Sequence, residues 1–415
     1  MKKMVIKKYN SADNPFDRQN RMSWWSQEKV SQAKVMVVGA GALGNETLKN
    51  LALLGVRNFF IVDFDTVSTS NLSRAVLFKK EDKGKKKAEI IAERLKELCL
   101  ADDVRIDWLH GDIVWDLGSG IYKEMDIVLG CLDNIETRFH VNRQCYLTQT
   151  PWIDAGIYEL GLRVTSFSPN SAPCYQCSAS ESQLAQARKR YSCDNFKKKV
   201  ISEGKVATVQ VASAIASAIQ TQEAMKIICD QQVQYGKQIY FQGKSNYFDV
   251  FTLAENENCT AHQLRYPEII DSTLTNQHTV EDSLNYLSEE FFDGDKVSID
   301  IYGDRDYVKS LSCRGCGTNI DFYMPAFRIF DTDTFCQACK ESKVVNNSAL
   351  QQQPAEKELI SSFHLNLPNN ILQQTLHEIG IPMMHIIAVK KLDSEDYKYF
   401  QLTGDKVNLI PNISR

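Results

Sequence analysis

The chain has 415 residues, of which 43% are apolar and 10% aromatic, enough to bury the cores of two or three domains. A net charge of −4, with Lys and Arg spread along the sequence, excludes a broad electrostatic footprint for nucleic acid or membrane and favours a protein or small-molecule substrate. No stretch approaches the roughly 18 apolar residues of a membrane span. The lysine-rich start (MKKMVIKKYN) lacks the apolar run of a secretion signal, so a soluble, unprocessed cytoplasmic protein is expected.

Between residues 34 and 253 short apolar runs alternate with helical periodicity, the pattern of a parallel sheet covered by helices. Strands are predicted at 34–39, 58–63, 104–108, 126–130, 152–155 and 162–168, with 238–242 and 247–253 as a later pair. Helices are predicted at 42–54, 86–98, 135–148 and 206–229. In the second of these, Ala88, Ile91, Leu95 and Leu98 recur every three or four residues, which gives it a buried face. After about residue 263 the rhythm stops and a four-cysteine segment follows. The stretch NNSALQQQPAEK, polar, Gln-rich and interrupted by Pro354, reads as a linker. Beyond it a helix near 370–379 and strands near 384–390 and 397–402 are expected, and no internal repeats are seen.

Residues 35–44 (VMVVGAGALG) set Gly39, Gly41 and Gly44 in G-x-G-x-x-G order, after an apolar strand and before a helix. Glycines allow a tight turn and close backbone approach, while the helix N-terminus offers free N–H groups to a phosphate. Asp63, at the end of the second predicted strand, is placed to hold ribose hydroxyls. The motif alone is weakly specific and fits a nicotinamide or flavin enzyme as readily as another nucleotide binder, so the neighbouring residues decide.

Those neighbours are IVDFDTVSTSNLSR at 61–74, Arg18-Gln19 upstream, Lys87 in DKGKKKAE and Asp133 in GCLDNIETR. Together they closely resemble the ubiquitin-activating enzyme superfamily, which includes the ThiF-type adenylyltransferases that activate sulfur carriers. The resemblance covers roughly residues 14–262. It implies that Asp63 binds ribose, that Asn71, Arg74 and Lys87 contact ATP phosphates, and that Asp133 positions Mg²⁺. Arg18 would reach the phosphates of a neighbouring subunit's site in a homodimer. Attack of a carboxylate on the α-phosphate brings anions together, and these cations would neutralise the charge that develops. Lys83, Lys85 and Lys86 crowd Lys87, whose distance from Gly84 fits the family pattern. A nicotinamide-dependent oxidoreductase leaves Arg18 and NLSR without a purpose. A non-enzymatic scaffold would not need both Arg18 and Asp133.

An acyl-adenylate can pass to a thiol, which stores the acyl group as a thioester. Thioester-forming members of the superfamily carry their nucleophile in the crossover segment before the long helix, where this chain has Cys193 in RYSCDNFKKKV. Lys197, Lys198 and Lys199 would raise its thiolate fraction. The text around Cys193 departs from the threonine- and proline-containing sequence of many eukaryotic members. Cys99, Cys131, Cys145 and Cys229 sit on apolar faces and are expected to be buried.

Six of the twelve cysteines form three C-x-x-C pairs, which in a reducing compartment read as metal ligands or redox sites. Cys174 and Cys177 (PCYQC) pair, by the resemblance, with a distant segment that here reads ENCTAH. Cys259 and His262 keep the two-residue gap, giving a Cys₃His zinc site. Cys313-x-x-Cys316 and Cys336-x-x-Cys339 have zinc-ribbon spacing, and four thiolates leave no open position for catalysis.

The expected organisation is therefore a Rossmann-like doubly wound α/β adenylation domain over 1–262 with Cys193 in its crossover segment. A zinc-ribbon region (263–345), a linker (346–358) and a small α+β element (359–415) follow. The resemblance implies an ATP- and Mg²⁺-dependent activating enzyme with two structural zinc sites. Its expected partners are a ubiquitin-like protein and a conjugating enzyme, with neither nucleic acid nor membrane. An adenylyltransferase for a sulfur carrier or peptide, without an enzyme thioester, is the alternative. The unfused single chain and its C-terminal half suggest a bacterial conjugation system and, as a conjecture, antiviral defence.

Overall fold

The apolar runs of the first half build one sheet of eight strands in the computed structural model, which describes residues 14–171, 173–184, 208–301, 305–313, 316–329, 336, 339 and 356–413. Its parallel part is ordered β3-β2-β1-β4-β5, from β1 (Lys34–Val38), β2 (Asn58–Val62), β3 (Arg105–Leu109), β4 (Ile127–Gly130) and β5 (Trp152–Tyr158). Val, Ile, Phe and Leu dominate β1, β2 and β4, the buried centre of the sheet, because both faces are covered there. Val37 pairs with Ile61 on one side and Leu129 on the other, so β1, β2 and β4 end level and their following loops converge.

Alternate residues feed two cores. Val35, Val37, Phe59 and Ile61 pack beneath α3 (Ala42–Leu54), α4 (Lys87–Leu98) and α7 (Gln210–Ile228). Met36, Val38, Phe60 and Trp152 face α5 (Gly120–Lys123) and α6 (Ile135–Thr148). The short α1 (Asp17–Asn20) and α2 (Gln27–Gln32) precede β1. Gly55, at φ 93°, ends α3, and the N–H of Val56 donates to the Leu51 carbonyl at 3.1 Å.

The expected parallel order does not run the whole length. β6 (Gly161–Phe167), β7 (Lys237–Gln242) and β8 (Tyr247–Thr252) join antiparallel, each beside the strand before it. Only Glu159 and Leu160 link β5 to β6, and a connection that short cannot make the crossover a parallel partner needs.

The second half is also sheet-based. β9 (Ile269–Ser272), β10 (Val297–Asp300), β14 (Ser362–His364), β15 (Ile386–Lys391) and β16 (Lys398–Leu402) form a sheet ordered β14-β10-β15-β16-β9. Strands from before and after the expected linker thus share one sheet. Of that stretch, the described part begins at Glu356, which opens β13 (Glu356–Ile360). β13 lies beside β11 (Tyr307–Ser312), with β12 (Asn319–Pro325) on its other side. An element not predicted from the sequence is α8 (Val280–Phe291), capped by the Thr279 hydroxyl, which accepts from the N–H of Asp282 at 3.0 Å.

The helix expected near 370–379 is shorter, α9 (Asn369–Leu372). The N–H groups of Leu376 and His377 donate to the carbonyls of His278 and Asn276, at 2.9 and 2.7 Å, so the ladder that would continue the helix is broken. After α10 (Lys406–Leu409) the chain returns to the first sheet. Leu409, Ile410 and Ile413 are buried with Met36, Val38 and Phe60. The Asp107 carboxylate on β3 accepts from the N–H groups of Asn412, at 3.1 Å, and Ile413, at 2.9 Å. Among the described residues no helix is long and apolar enough to cross a membrane.

Candidate active site

The loops leaving β1, β2 and β4 enclose a cleft of about 730 Å³ at the point where strand order reverses, the usual ligand position in such a sheet. Gly39 and Gly44 serve the turn itself. Gly39 has φ 96°, and a Cβ there would lie 2.4 Å from the Cys131 carbonyl oxygen; one on Gly44 would lie 2.0 Å from the Gly39 carbonyl oxygen. Gly41 is different, because a Cβ on it would meet nothing within 4 Å. It lines the cleft at the start of α3, so its bare backbone leaves room for a ligand.

Asp63, Asn71, Arg74, Lys87 and Asp133 all line this same cleft. Asp63 Oδ2 accepts from the N–H of Ala40 at 2.6 Å, and Oδ1 from the N–H of Asp65 at 2.7 Å. Burial pushes its carboxyl above the ordinary range, against the pull of Lys87 and of those two N–H groups. Lys87 is buried and bonds Asp65 at 2.6 Å. Of the crowded lysines only Lys87 faces the cleft: Lys85 bonds Asp82 at 3.4 Å, and Lys86 lies over the Trp108 ring at 5.7 Å. Asn71 closes a single 3₁₀ turn, its Oδ1 accepting from the N–H of Ser68 at 2.8 Å. Arg74 donates to the Thr208 hydroxyl at 3.2 Å. Asp133 is exposed at the end of β4, where Asn134 caps α6 by accepting from the N–H of Thr137 at 2.8 Å.

Arg18 is exposed on α1 and does not line this cleft. Cys193 lies outside the described residues, as do Lys197, Lys198 and Lys199. Cys131, Cys145 and Cys229 are buried and Cys99 half-buried. Burial pushes the Cys131 thiol up to about 12 and that of Cys99 to about 11, so neither is a thiolate near neutrality.

Sequence reasoning missed Asp65, Arg138 and Arg163, which also line the cleft. Arg138 was in view inside GCLDNIETR. A position in the first turn of a helix that starts at a strand end was the available signal. Its Nε bonds Asp154 Oδ1 at 2.8 Å, with both side chains nearly inaccessible.

Among the described residues two side-chain clusters could hold a metal ion. In the first, Cys174 Sγ lies 3.8 Å from both Cys177 Sγ and Cys259 Sγ, and Cys177 Sγ lies 3.2 Å from His262 Nδ1. Zinc–sulfur bonds of about 2.3 Å in a tetrahedron set sulfurs about 3.8 Å apart, so the spacing fits. In the second, Cys313 Sγ and Cys339 Sγ are 3.7 Å apart, and Cys316 Sγ and Cys336 Sγ are 3.5 Å apart. Gly317, at φ 71°, turns the chain there so that its N–H donates to the Cys313 carbonyl at 2.8 Å.

The sequence profile of the ThiF family matches residues 16–261, the whole of this cleft-bearing half. The chain belongs to the ThiF family. It is 38% identical over 151 residues to SUMO-activating enzyme subunit 2 of Dictyostelium discoideum, covering 36% of this chain and 22% of that one. With the sulfur carrier protein ThiS adenylyltransferase of Escherichia coli K12 it shares 27% identity over 234 residues, 56% of this chain and 87% of the other. The chain thus spans about a fifth of the SUMO-activating subunit and most of the ThiS enzyme. The crystal structure of E. coli MccB with ATP matches in fold, with TM-score 0.50, 22% identity, and coverage of 61% of this chain and 75% of that one.

Proposed function

We propose that this chain binds ATP and Mg²⁺ in the cleft and adenylates the C-terminal carboxylate of a small ubiquitin-like protein. The observation that carries the reading is the convergence of Asp63, Asn71, Arg74, Lys87 and Asp133 on one cleft, beside a Gly41 whose missing side chain leaves room for a phosphate. Family membership and the SUMO-activating relative support it. A carboxylate oxygen bonds to the α-phosphorus, the bond to the β-phosphate oxygen breaks, and pyrophosphate leaves. Asp63 holds ribose, Asn71, Arg74 and Lys87 balance the phosphates, and Asp133 positions Mg²⁺. Arg18 serves the site of a second copy, in a homodimer with two active sites.

The Cys193 thiolate then attacks the acyl carbon, AMP leaves, and the thioester passes to the thiol of a conjugating enzyme. Zinc at Cys174, Cys177, Cys259 and His262 and at Cys313, Cys316, Cys336 and Cys339 has a structural part, the first joining the crossover to the end of the adenylation domain. A reducing compartment, the cytoplasm, keeps such thiols available.

The second reading ends at the adenylate, on a sulfur carrier or peptide, and is favoured by the match across 87% of the ThiS adenylyltransferase. Mixing the protein with ATP, Mg²⁺ and a candidate ubiquitin-like protein separates the two. Intact mass is followed without reductant for wild type and Cys193→Ala, with AMP and pyrophosphate recorded. A thiol-sensitive adduct absent from the variant supports the thioester. Pyrophosphate without an adduct in either protein supports the second reading, and no pyrophosphate with any candidate counts against both.

A further inference from the structure

One turn that lines the candidate nucleotide cleft runs on into a contact with the C-terminal half. Gly111, Asp112 and Ile113, which follow β3, line the cleft. The residues just after them are held from the other side by Arg305, which is buried immediately before β11. Its Nη1 donates to the carbonyls of Trp115 and Gly380, at 3.1 and 2.8 Å, and its Nη2 to that of Val114 at 2.8 Å. The guanidinium also lies 6.0 Å from the centre of the Trp115 ring, which stacks on Phe327 with centroids 4.6 Å apart. The turn is rigid in itself, since Asp116 Oδ2 accepts from the N–H of Asp112 at 2.7 Å and Asp112 Oδ1 from that of Val114 at 2.9 Å. A rigid turn held at one end transmits its placement to the other.

The order of the strands says which part of a nucleotide meets that turn. Phosphates lie at the start of α3 after β1, and ribose at the acid that ends β2. The base must then extend toward β3, where Ile113 offers an apolar side chain.

We propose that Arg305 is a positioning residue for the base end of the nucleotide site, fixing the 111–115 turn so that Ile113 forms a wall for adenine. The inference rests on the nucleotide reading given above. Removing the guanidinium strands three backbone carbonyls that are buried beside it, and the turn relaxes to find other partners. Gly41, Asn71, Arg74 and Lys87 belong to other segments, so the phosphate end is left in place.

The test is calorimetric binding of three probes, ATP, adenosine and inorganic tripolyphosphate, to wild type, Arg305→Ala and Arg305→Lys, with a melting curve for each. Arg305→Ala should bind ATP and adenosine about tenfold more weakly, and tripolyphosphate within about twofold of wild type. Arg305→Lys, which keeps the charge and part of the hydrogen bonding, should fall between. Equal loss of all three probes, or unchanged affinity for ATP and adenosine, overturns the proposal. Should Arg305→Ala not fold, Arg305→Lys carries the comparison under the same criteria. A wild type that binds neither ATP nor tripolyphosphate overturns the nucleotide reading and this inference with it, whereas intact tripolyphosphate binding beside an unaffected base end overturns this inference alone.

Discussion

Replacing Asp154 with Ala tests how Arg138, which lines the cleft, is held. Asp154 bonds Arg138 at 2.8 Å, and the two side chains expose only 3% and 8% of their surface. Burial works against the Arg138 charge, and Asp154 outweighs it with help from Tyr175, so the guanidinium stays charged in place. Without the carboxylate that charge is buried and uncompensated, which costs about 3–5 kcal/mol. At about 2–4 °C per kcal/mol for a domain of this size, the melting temperature should fall by roughly 6–20 °C. Thermal unfolding followed by circular dichroism measures this for Asp154→Ala, Asp154→Leu, Arg138→Met and the combination of the last two. The combination should recover much of the loss, since it removes both charges and leaves apolar groups of similar size. A fall of under about 2 °C in Asp154→Ala, or simple additivity in the combination, would refute the claim that the pair is coupled and buried.

Three further outcomes follow from the same geometry. Lys87→Ala should lower substrate-dependent pyrophosphate release about 10²- to 10³-fold, while Lys86→Ala, whose ammonium lies over Trp108, should change it by less than about threefold; similar losses in both would mean that the lysine run acts as a general positive patch. Native mass spectrometry should find one zinc ion at each of the two clusters, with Cys259→Ser and Cys313→Ser each losing a different one. Burial would raise the Asp82 carboxyl, but the N–H of Lys79 with Arg94 and Lys85 more than offsets it and holds the group below its ordinary 3.8. A depressed carboxylate stabilises the fold above the ordinary value and loses that contribution as pH falls through the folded one. The gap in melting temperature between wild type and Asp82→Asn should therefore be full at neutral pH and close below pH 3.8. A gap that widens on acidification would reverse the sign of this argument.

The end of the cleft formed by Gly41, Asp63 and Lys87 was legible because its signals are local. Three glycines at fixed spacing, an acid at a strand end and a lysine at a helix start each declare themselves within a few residues. Arg138 and Asp154 were harder, since their pairing joins a helix to the next strand and neither residue is unusual alone. Arg305 could not be found this way. It meets Val114 across nearly two hundred intervening residues, and only the fold makes them neighbours. The sheet of the second half was hidden for a related reason, as β9 pairs with β16 from the far side of a polar, Gln-rich stretch. The helix expected near 370–379 failed because apolar spacing does not record that His278 and Asn276 compete for its N–H groups.

The return of Leu409, Ile410 and Ile413 to the first sheet bears on how the protein is made. Domains usually fold in the order in which they leave the ribosome, at about 5–20 residues per second. Here the face formed by Met36, Val38 and Phe60 is completed by residues synthesised roughly 250 positions after β5 has emerged. For roughly 13–50 s at those speeds, the nascent chain carries the completed parallel part of the sheet with an apolar opening. That opening is a natural place for a chaperone to hold the chain, and it closes when the tail supplies the missing side chains.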